Sequence, residues 1–385
     1  MRTIALMLPR LNGGGAERMM LQLAGGLARL GYRVDLVVAV LKGPYIAELP
    51  ANVRMVNLGL RRRPYRLALI PLVVYLLRTR PAVLITALFE ADMLALLATL
   101  PWRWLTPVVL TFRVDPGTQP GGHYRSWLHW EICRRVYPLA KGYIAVSEGV
   151  RQAHVFGMGL PSQRLITVYN PTLRPEINQL AAQPLDHPWF AAGQPPVILA
   201  VGRLEMQKRF DLLIRALAGV RRSREARLVI LGQGPLLQDL KELAAELGVE
   251  EAVDFPGFDL NPFRYMRHAV VLALTSDQEG LPNVLIEALY CGLPVVSTDC
   301  PSGPKEVLQG GRWGQLVAPG DLAELVQALE TTLSRGRVIH EDYPGALAAH
   351  LRQFTVEYAT QAYLAALRQL GIRLPDLPAD GTERI

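Results

Sequence analysis

Apolar positions along the chain follow two rhythms. Residues 3–8 form a continuous run, a glycine break follows at 12–15, and Met19, Met20, Leu23, Leu27 and Leu30 then recur at helical spacing. Gly31 closes that helix, and Val34, Leu36 and Val38 alternate as in a strand. The chain therefore opens as strand, turn, helix, strand. Further strands are predicted over 83–86, 108–112 and 142–146.

Between 170 and 196 the pattern dissolves around Pro171, Pro175, Pro184, Pro188, Pro195 and Pro196, which marks an interdomain linker. Alternation then restarts, with strands at 197–201, 228–231 and 270–274 and helices at 210–220 and 236–247. One or two helices are expected over 346–370, and the residues from Pro375 read as a frayed end. Strand alternating with helix on both sides of the linker predicts an α/β protein of two Rossmann-like, doubly wound domains, at 1–175 and 190–345. A length of 385 residues suits two domains better than one.

Composition narrows the function classes. Half the residues are hydrophobic and 19% are charged, enough to bury large cores and too apolar for long disordered tracts. The balance of 41 basic against 34 acidic residues, net +7, favours anionic partners. Nucleic acid is not expected among them, because the basic residues are scattered. The longest basic run, Arg61-Arg62-Arg63, precedes Pro64-Tyr65-Arg66 and the apolar stretch 67–77; it reads either as a dock on an anionic bilayer or as a lead-in to a buried helix. Neither 67–77 nor 82–100 reads as a membrane span, since the first is too short and the second carries Glu90 and Asp92. The opening run is too short for a signal peptide. Cys133, Cys291 and Cys300 lack disulfide or zinc spacing, which fits a reducing cytosol. His123, His129 and Glu131 form no known metal-ligand spacing, so no metal site is assigned.

The segment with the most chemistry is 275–304, TSDQEGLPNVLIEALYCGLPVVSTDCPSGP. A buried strand ends in a polar turn, Gly280 and Pro282 lead into a helix from about Asn283, and Gly292 stops it. Glu279 then lies at the carboxyl end of a strand and Glu287 early in the next helix. In open α/β sheets that edge binds ligands, and a helix N-terminus there offers free N–H groups to oxygen atoms. Carboxylates at such a place can accept hydrogen bonds from sugar hydroxyls, although a structural carboxylate that complements the helix dipole explains Glu287 equally well. Arg203 and Lys208 follow the strand 197–201 as a pair of cations at a helix start, either merely solvated or able to stabilise an anion without a metal.

These motifs resemble the retaining GT-B enzymes of glycosyltransferase family 4. Glu279 and Glu287 match the family's E-x7-E signature, the segment 292–298 its next strand, Arg203 to Lys208 its basic turn, and Gly13-Gly14-Gly15 its N-terminal glycine loop. The resemblance extends over nearly the whole chain. It implies two domains facing a cleft, with the C-terminal one holding the donor and the N-terminal one the acceptor, and segment 350–372 packed back on the first domain.

By the same resemblance Arg203 and Lys208 bind the donor diphosphate. Glu279 with Gly280, Leu281, Pro282 and Asn283 holds the transferred sugar, Glu287 the ribose, and Gly232 and Phe258 lie near the nucleobase. Gly13, Gly14, Gly15, Arg113 and Asn170 line the acceptor side. Many relatives have a histidine where this chain has Arg113, so Arg113 contacts the transferred sugar or the acceptor phosphate, or else is the partner of Asp115 in an ion pair.

The expected function is transfer of a sugar from a UDP-sugar to a glycan or lipid-linked glycan acceptor in bacterial polysaccharide biosynthesis, with no cofactor and no metal. The expected place is the cytoplasm, with peripheral contact at the inner face of the membrane. The rival readings are a sugar-nucleotide epimerase or glycan phosphorylase on the same fold, or a non-catalytic nucleotide-sugar-binding module. The last would be marked by loss of Glu279, Arg203 or Lys208, and all three are present.

Overall fold

The computed structural model describes residues 2–12, 14–60, 65–102, 104–116, 131–337 and 344–375. It divides into two compact units, Met1–Thr172 with Gln353–Ile385, and Leu173–Arg352.

The first unit is built on a seven-stranded parallel sheet in the order β3-β2-β1-β4-β5-β6-β7. Its strands are β1 Ile4–Leu8, β2 Val34–Val40, β3 Arg54–Leu60, β4 Val83–Ala87, β5 Val108–Phe112, β6 Gly142–Ala145 and β7 Leu165–Thr167. β1 pairs with β2 on one side, Ile4 opposite Val34, and with β4 on the other, Ile4 opposite Val83. The inner strands β1, β2, β4 and β5 are buried at every position, as a sheet covered by helices on both faces requires. Helix α1, Gly15–Arg29, lays Met19, Met20, Leu23 and Leu27 on this sheet. Two further helices, α2 Leu69–Thr79 and α3 Phe89–Thr99, precede β4 and β5.

The second unit holds six parallel strands in the order β10-β9-β8-β11-β12-β13. They are β8 Val197–Val201, β9 Arg227–Leu231, β10 Val253–Gly257, β11 Val271–Leu274, β12 Val295–Thr298 and β13 Gln315–Val317. β8 is the pivot, pairing with β9 from Val197 opposite Arg227 and with β11 from Val271 opposite Ile198. The helix Phe210–Val220 buries Leu213, Ile214 and Leu217 against this sheet.

The chain passes from the first unit to the second at Thr172 and Leu173. The proline-rich stretch that follows carries a short helix, Ile177–Ala181, and a single turn at Pro188–Phe190, all within the second unit. The two C-terminal helices part company. Pro344–Leu351 belongs to the second unit, whereas Val356–Gln369 buries Tyr363, Leu364 and Leu367 in the core beneath α1. A backbone bond from Thr172 N to Phe354 O, 2.9 Å, fixes the returning segment beside the departing one. Thr355 caps the last helix by accepting from Tyr358 N.

Candidate functional site

In the second unit the strand order reverses between β8 and β11, and the loops leaving their carboxyl ends carry the residues of interest. Those loops are bound to one another. Thr275 Oγ1 donates to the carbonyls of Lys208 (2.9 Å) and Arg209 (3.0 Å), and Asp277 N donates to Gln207 O (2.9 Å). Arg209, with φ of +50°, turns the chain into the next helix while its guanidinium reaches Asp211 and Asp277 at 3.1 and 3.2 Å.

The glycine turn after β9 packs on the same loop. Leu204 N donates to Gln233 O at 3.0 Å, and a Cβ on Gly232 would lie 1.8 Å from Gly202 O, so only glycine fits there. On the other flank Gly303, φ +91°, sits where a Cβ would come within 2.6 Å of Pro282 Cδ and 2.8 Å of Gly280 O. Thr298 Oγ1 adds a 2.6 Å bond to Ser276 O. The segment 276–282 is thereby held from both sides.

Within this frame Lys208 and Glu279, 71 residues apart, form a salt bridge with Nζ 2.6 Å from Oε1; their side chains are only 16% and 11% exposed. Ser276 Oγ donates to the same oxygen at 2.7 Å. Such a charge-assisted pair, largely withdrawn from water, is among the stronger polar contacts a protein makes. Arg203 is well exposed and pairs with its neighbour Glu205 at 3.0 Å. Glu287 is buried on the helix Asn283–Tyr290, which begins behind Pro282 without a side-chain cap. Leu281 is buried too, and Phe258, just past β10, is exposed. Two cations, each paired with a carboxylate, beside a helix N-terminus suit a ligand that is both anionic and rich in hydroxyls.

The first unit has its own reversal, between β1 and β4. Gly14 and Gly15 open α1 at the end of β1, and Gly14 supplies no side-chain cap. At the end of β4, Leu88 holds φ +77°, a conformation costly for a side chain of its kind. Arg113 follows β5. It donates from Nη1 to Asn170 Oδ1 at 2.7 Å, and from Nη2 to Met19 Sδ at 3.3 Å and Thr111 Oγ1 at 3.5 Å, rather than to Asp115. Burial lowers the Arg113 pKa, a pull opposed by Tyr363, Asp92 and Glu17. Arg113 and Asn170, both assigned to the acceptor side, are thus brought together.

Asp92 is a residue whose chemistry the sequence pattern did not reveal. It is buried in the first turn of α3, Thr86 Oγ1 donates to it at 2.5 Å, and desolvation pushes its pKa up to about 7. The available signal was an acid inside the otherwise apolar run 82–100. Gly13, Arg61 to Arg63, Pro64, His123 and His129 lie outside the described residues.

Both units of the chain resemble known proteins. The family model for Glycosyltransferase Family 4 matches residues 13–172, and that for Glycosyl transferases group 1 matches residues 195–335. The chain is 36% identical over 211 residues to the Campylobacter jejuni N-acetylgalactosamine-N,N'-diacetylbacillosaminyl-diphospho-undecaprenol 4-alpha-N-acetylgalactosaminyltransferase, covering 55% of this chain and 56% of that one. It is 30% identical over 240 residues to the Salmonella typhimurium lipopolysaccharide 1,6-galactosyltransferase, covering 59% and 64%. The alignments thus span less than two thirds of each relative. Among solved structures, Anabaena HepE in complex with UDP and glucose superposes with a TM-score of 0.74 at 20% identity, covering 96% of this chain and all of that one. WaaG, a glycosyltransferase involved in lipopolysaccharide biosynthesis, gives 0.71 at 18%, with 96% and 100% covered. The fold is that of the GT-B glycosyltransferases.

Proposed function

Because the chain belongs to the family 4 glycosyltransferases, we propose that it transfers a sugar from a nucleoside diphosphate, UDP in the first instance, to a hydroxyl of a lipid-linked glycan, with retention at the anomeric carbon. The observation that carries this reading is the Lys208–Glu279 pair at the β8–β11 reversal. The choice of UDP draws on HepE, solved with UDP and with UDP-glucose. The lipid-linked acceptor draws on the Campylobacter relative, whose name specifies a diphospho-undecaprenol substrate. Bacterial polysaccharide assembly is the matching setting.

Each group then has a task. When donor enters, Lys208 exchanges Glu279 for a phosphate oxygen, and Arg203 swings from Glu205 to the same diphosphate. The two cations stabilise the charge that builds on the leaving group, so no metal is needed for that purpose. Glu279, released, accepts hydrogen bonds from the sugar hydroxyls, with the backbone of 280–283 beside it. Glu287 holds the ribose, and the Gly232 turn and Phe258 flank the base. Gly13, Gly14, Gly15, Arg113 and Asn170 serve the acceptor. As the diphosphate departs from an oxocarbenium-like sugar, the acceptor attacks on the face it vacates.

The reading also places the protein on the inner face of the membrane. No helix among the described residues is long and apolar enough to span a bilayer. Yet Leu67, Ile70, Val74 and Leu77 recur at helical spacing and stay 61%, 75%, 39% and 40% exposed, with Arg66 and Arg78 beside them. This stripe suits an anionic bilayer surface.

The test is transfer by purified protein from α-linked UDP-, GDP- and ADP-sugars to a lipid-linked oligosaccharide, with the new linkage read by NMR. An α-linked product from a UDP-sugar is expected. A β-linked product contradicts retention, and epimerised donor without transfer favours the rival chemistry.

A further inference from the structure

Arg113 is a half-buried cation with an incomplete set of partners. Its guanidinium is held by an amide oxygen, a thioether and a hydroxyl, and its buried Nε has no partner among the described residues. No carboxylate lies within ion-pair distance of it among those residues. The negative charges that act on it, Asp92 and Glu17, do so from farther away.

A polar connection leads from Arg113 to Asp92 across two neighbouring strands. Arg113 Nη2 donates to Thr111 Oγ1 on β5, Thr111 Oγ1 donates at 2.7 Å to the carbonyl of Thr86 on β4, and Thr86 Oγ1 donates at 2.5 Å to Asp92 Oδ1. All three bonds lie at the carboxyl edge of the sheet beside the β1–β4 reversal, where the strained Leu88 starts α3. Strained backbone at such an edge is a mark of a working site.

We propose that Asp92 is a positioning residue for Arg113, and that through Thr86 and Thr111 it sets the charge Arg113 presents to a phosphate group bound at this edge. The proposal rests on the reading of this edge as the acceptor side. It adds a residue that touches no substrate, and it assigns Arg113 an anion rather than a sugar hydroxyl.

The charge logic is direct. Asp92 faces Thr86 from β4, Glu90 from its own helix, Arg113 beyond β5, and Tyr137 with Cys133 from the segment before β6. Glu17 and Tyr363 face Arg113 from α1 and the last helix. Desolvation and Glu90 favour the neutral carboxyl, while Thr86, Arg113 and Tyr137 favour the anion, so that it titrates at about 7. Below that pH Arg113 is less compensated and binds an anion more tightly; above it, less so. By linkage, an anion on Arg113 must raise the Asp92 pKa.

The test uses the full chain. The protonated Asp92 carbonyl band, identified by its loss in Asp92→Asn, is titrated by infrared difference spectroscopy in wild type, Arg113→Gln, Arg113→Lys and Thr86→Val, with and without inorganic pyrophosphate. Expected is a wild-type midpoint near 7 that rises in Arg113→Gln, is largely kept in Arg113→Lys, and rises with pyrophosphate only where residue 113 is cationic. A midpoint indifferent to residue 113 overturns the proposal, as does a pyrophosphate shift that survives in Arg113→Gln. This arm needs no turnover, so it stands apart from failure of the proposed transfer. In a transfer assay, acceptor KM should climb with pH through 7 in wild type and stay level in Asp92→Asn, with kcat following one profile in both. Equal KM profiles also overturn it.

Discussion

Lys208 and Glu279 neutralise each other across the two loops that leave β8 and β11, through a 2.6 Å bond shielded from most solvent. A donor diphosphate must therefore displace a carboxylate from Lys208, and the carboxylate becomes available at the moment the sugar arrives. Under the proposed function, Glu279→Ala should lower turnover by about 10²–10³-fold, the scale seen when one oriented polar group is lost from a charged transition state. Affinity for UDP should be kept or rise, since the phosphate then meets an unopposed lysine. Steady-state kinetics with product-inhibition constants for UDP separate the two effects, and near-normal turnover would refute the role given to Glu279.

Transfer should withstand excess chelator, because Arg203 and Lys208 supply the charge a divalent ion would otherwise provide. Activity lost in EDTA and regained with manganese would overturn this assignment.

Gly232→Ala tests the frame rather than the chemistry. The new Cβ would stand 1.8 Å from Gly202 O at a backbone φ of +154°, so the β8 and β9 loops must separate. A loss of at least about 1–3 kcal/mol is expected from the strain alone. Thermal melting should show it as a drop of several degrees, whereas Gly248→Ala, with nothing within 4 Å but a φ of +66°, should show only the smaller conformational cost.

The Asp92 carboxyl gives stability a pH dependence of definite sign. Its pKa rises from an ordinary 3.8 to about 7 on folding, so the folded chain holds a proton that the unfolded chain releases. That contribution falls as pH climbs from about 4 to about 7 and is flat above. Asp92→Asn removes the ionisation, so its melting temperature relative to wild type should be more favourable at pH 8 than at pH 5. Melting curves at the two pH values with an unchanged difference would contradict the assignment.

Docking through the exposed stripe of α2 predicts cosedimentation with phosphatidylglycerol vesicles at low salt, release at high salt, and weakened binding in Ile70→Glu. Indifference to vesicle charge or to Ile70→Glu would exclude that face.

The sequence rhythm reported the interior of both sheets and passed over their borders. It did not distinguish five strands: β12, which only the family resemblance placed, and β3, β7, β10 and β13, which are the four sheet edges. β3 mixes exposed and half-buried positions around one buried residue, Leu58, β10 contains Pro256, and β7 and β13 are three residues long, so none shows the continuous apolar run of a covered strand. The linker was legible from its prolines, but not that it folds into the second unit, because its short helix Ile177–Ala181 is below the length at which periodicity speaks. At the candidate site, residue type and position made Arg203, Lys208, Glu279 and Glu287 legible as candidates. That Lys208 and Glu279 hold each other was not, since it depends on β8 and β11 being neighbours in the sheet though 69 residues lie between the two strands in the chain. Asp92 was hidden for a similar reason, its partner Thr86 and its counter-charge Arg113 coming from the end of one strand and the loop beyond the next.

The claim on which the rest depends is that the second unit binds a nucleoside diphosphate sugar through Lys208. Calorimetric titration of wild type and Lys208→Ala with UDP-, GDP- and ADP-sugars tests it most directly. The account predicts saturable binding of a UDP-sugar by wild type and an affinity lower by on the order of 10²-fold in Lys208→Ala, the loss of a charge-assisted phosphate contact. No binding of any of the three donors by a folded wild-type protein, or equal affinity in the variant, would contradict it.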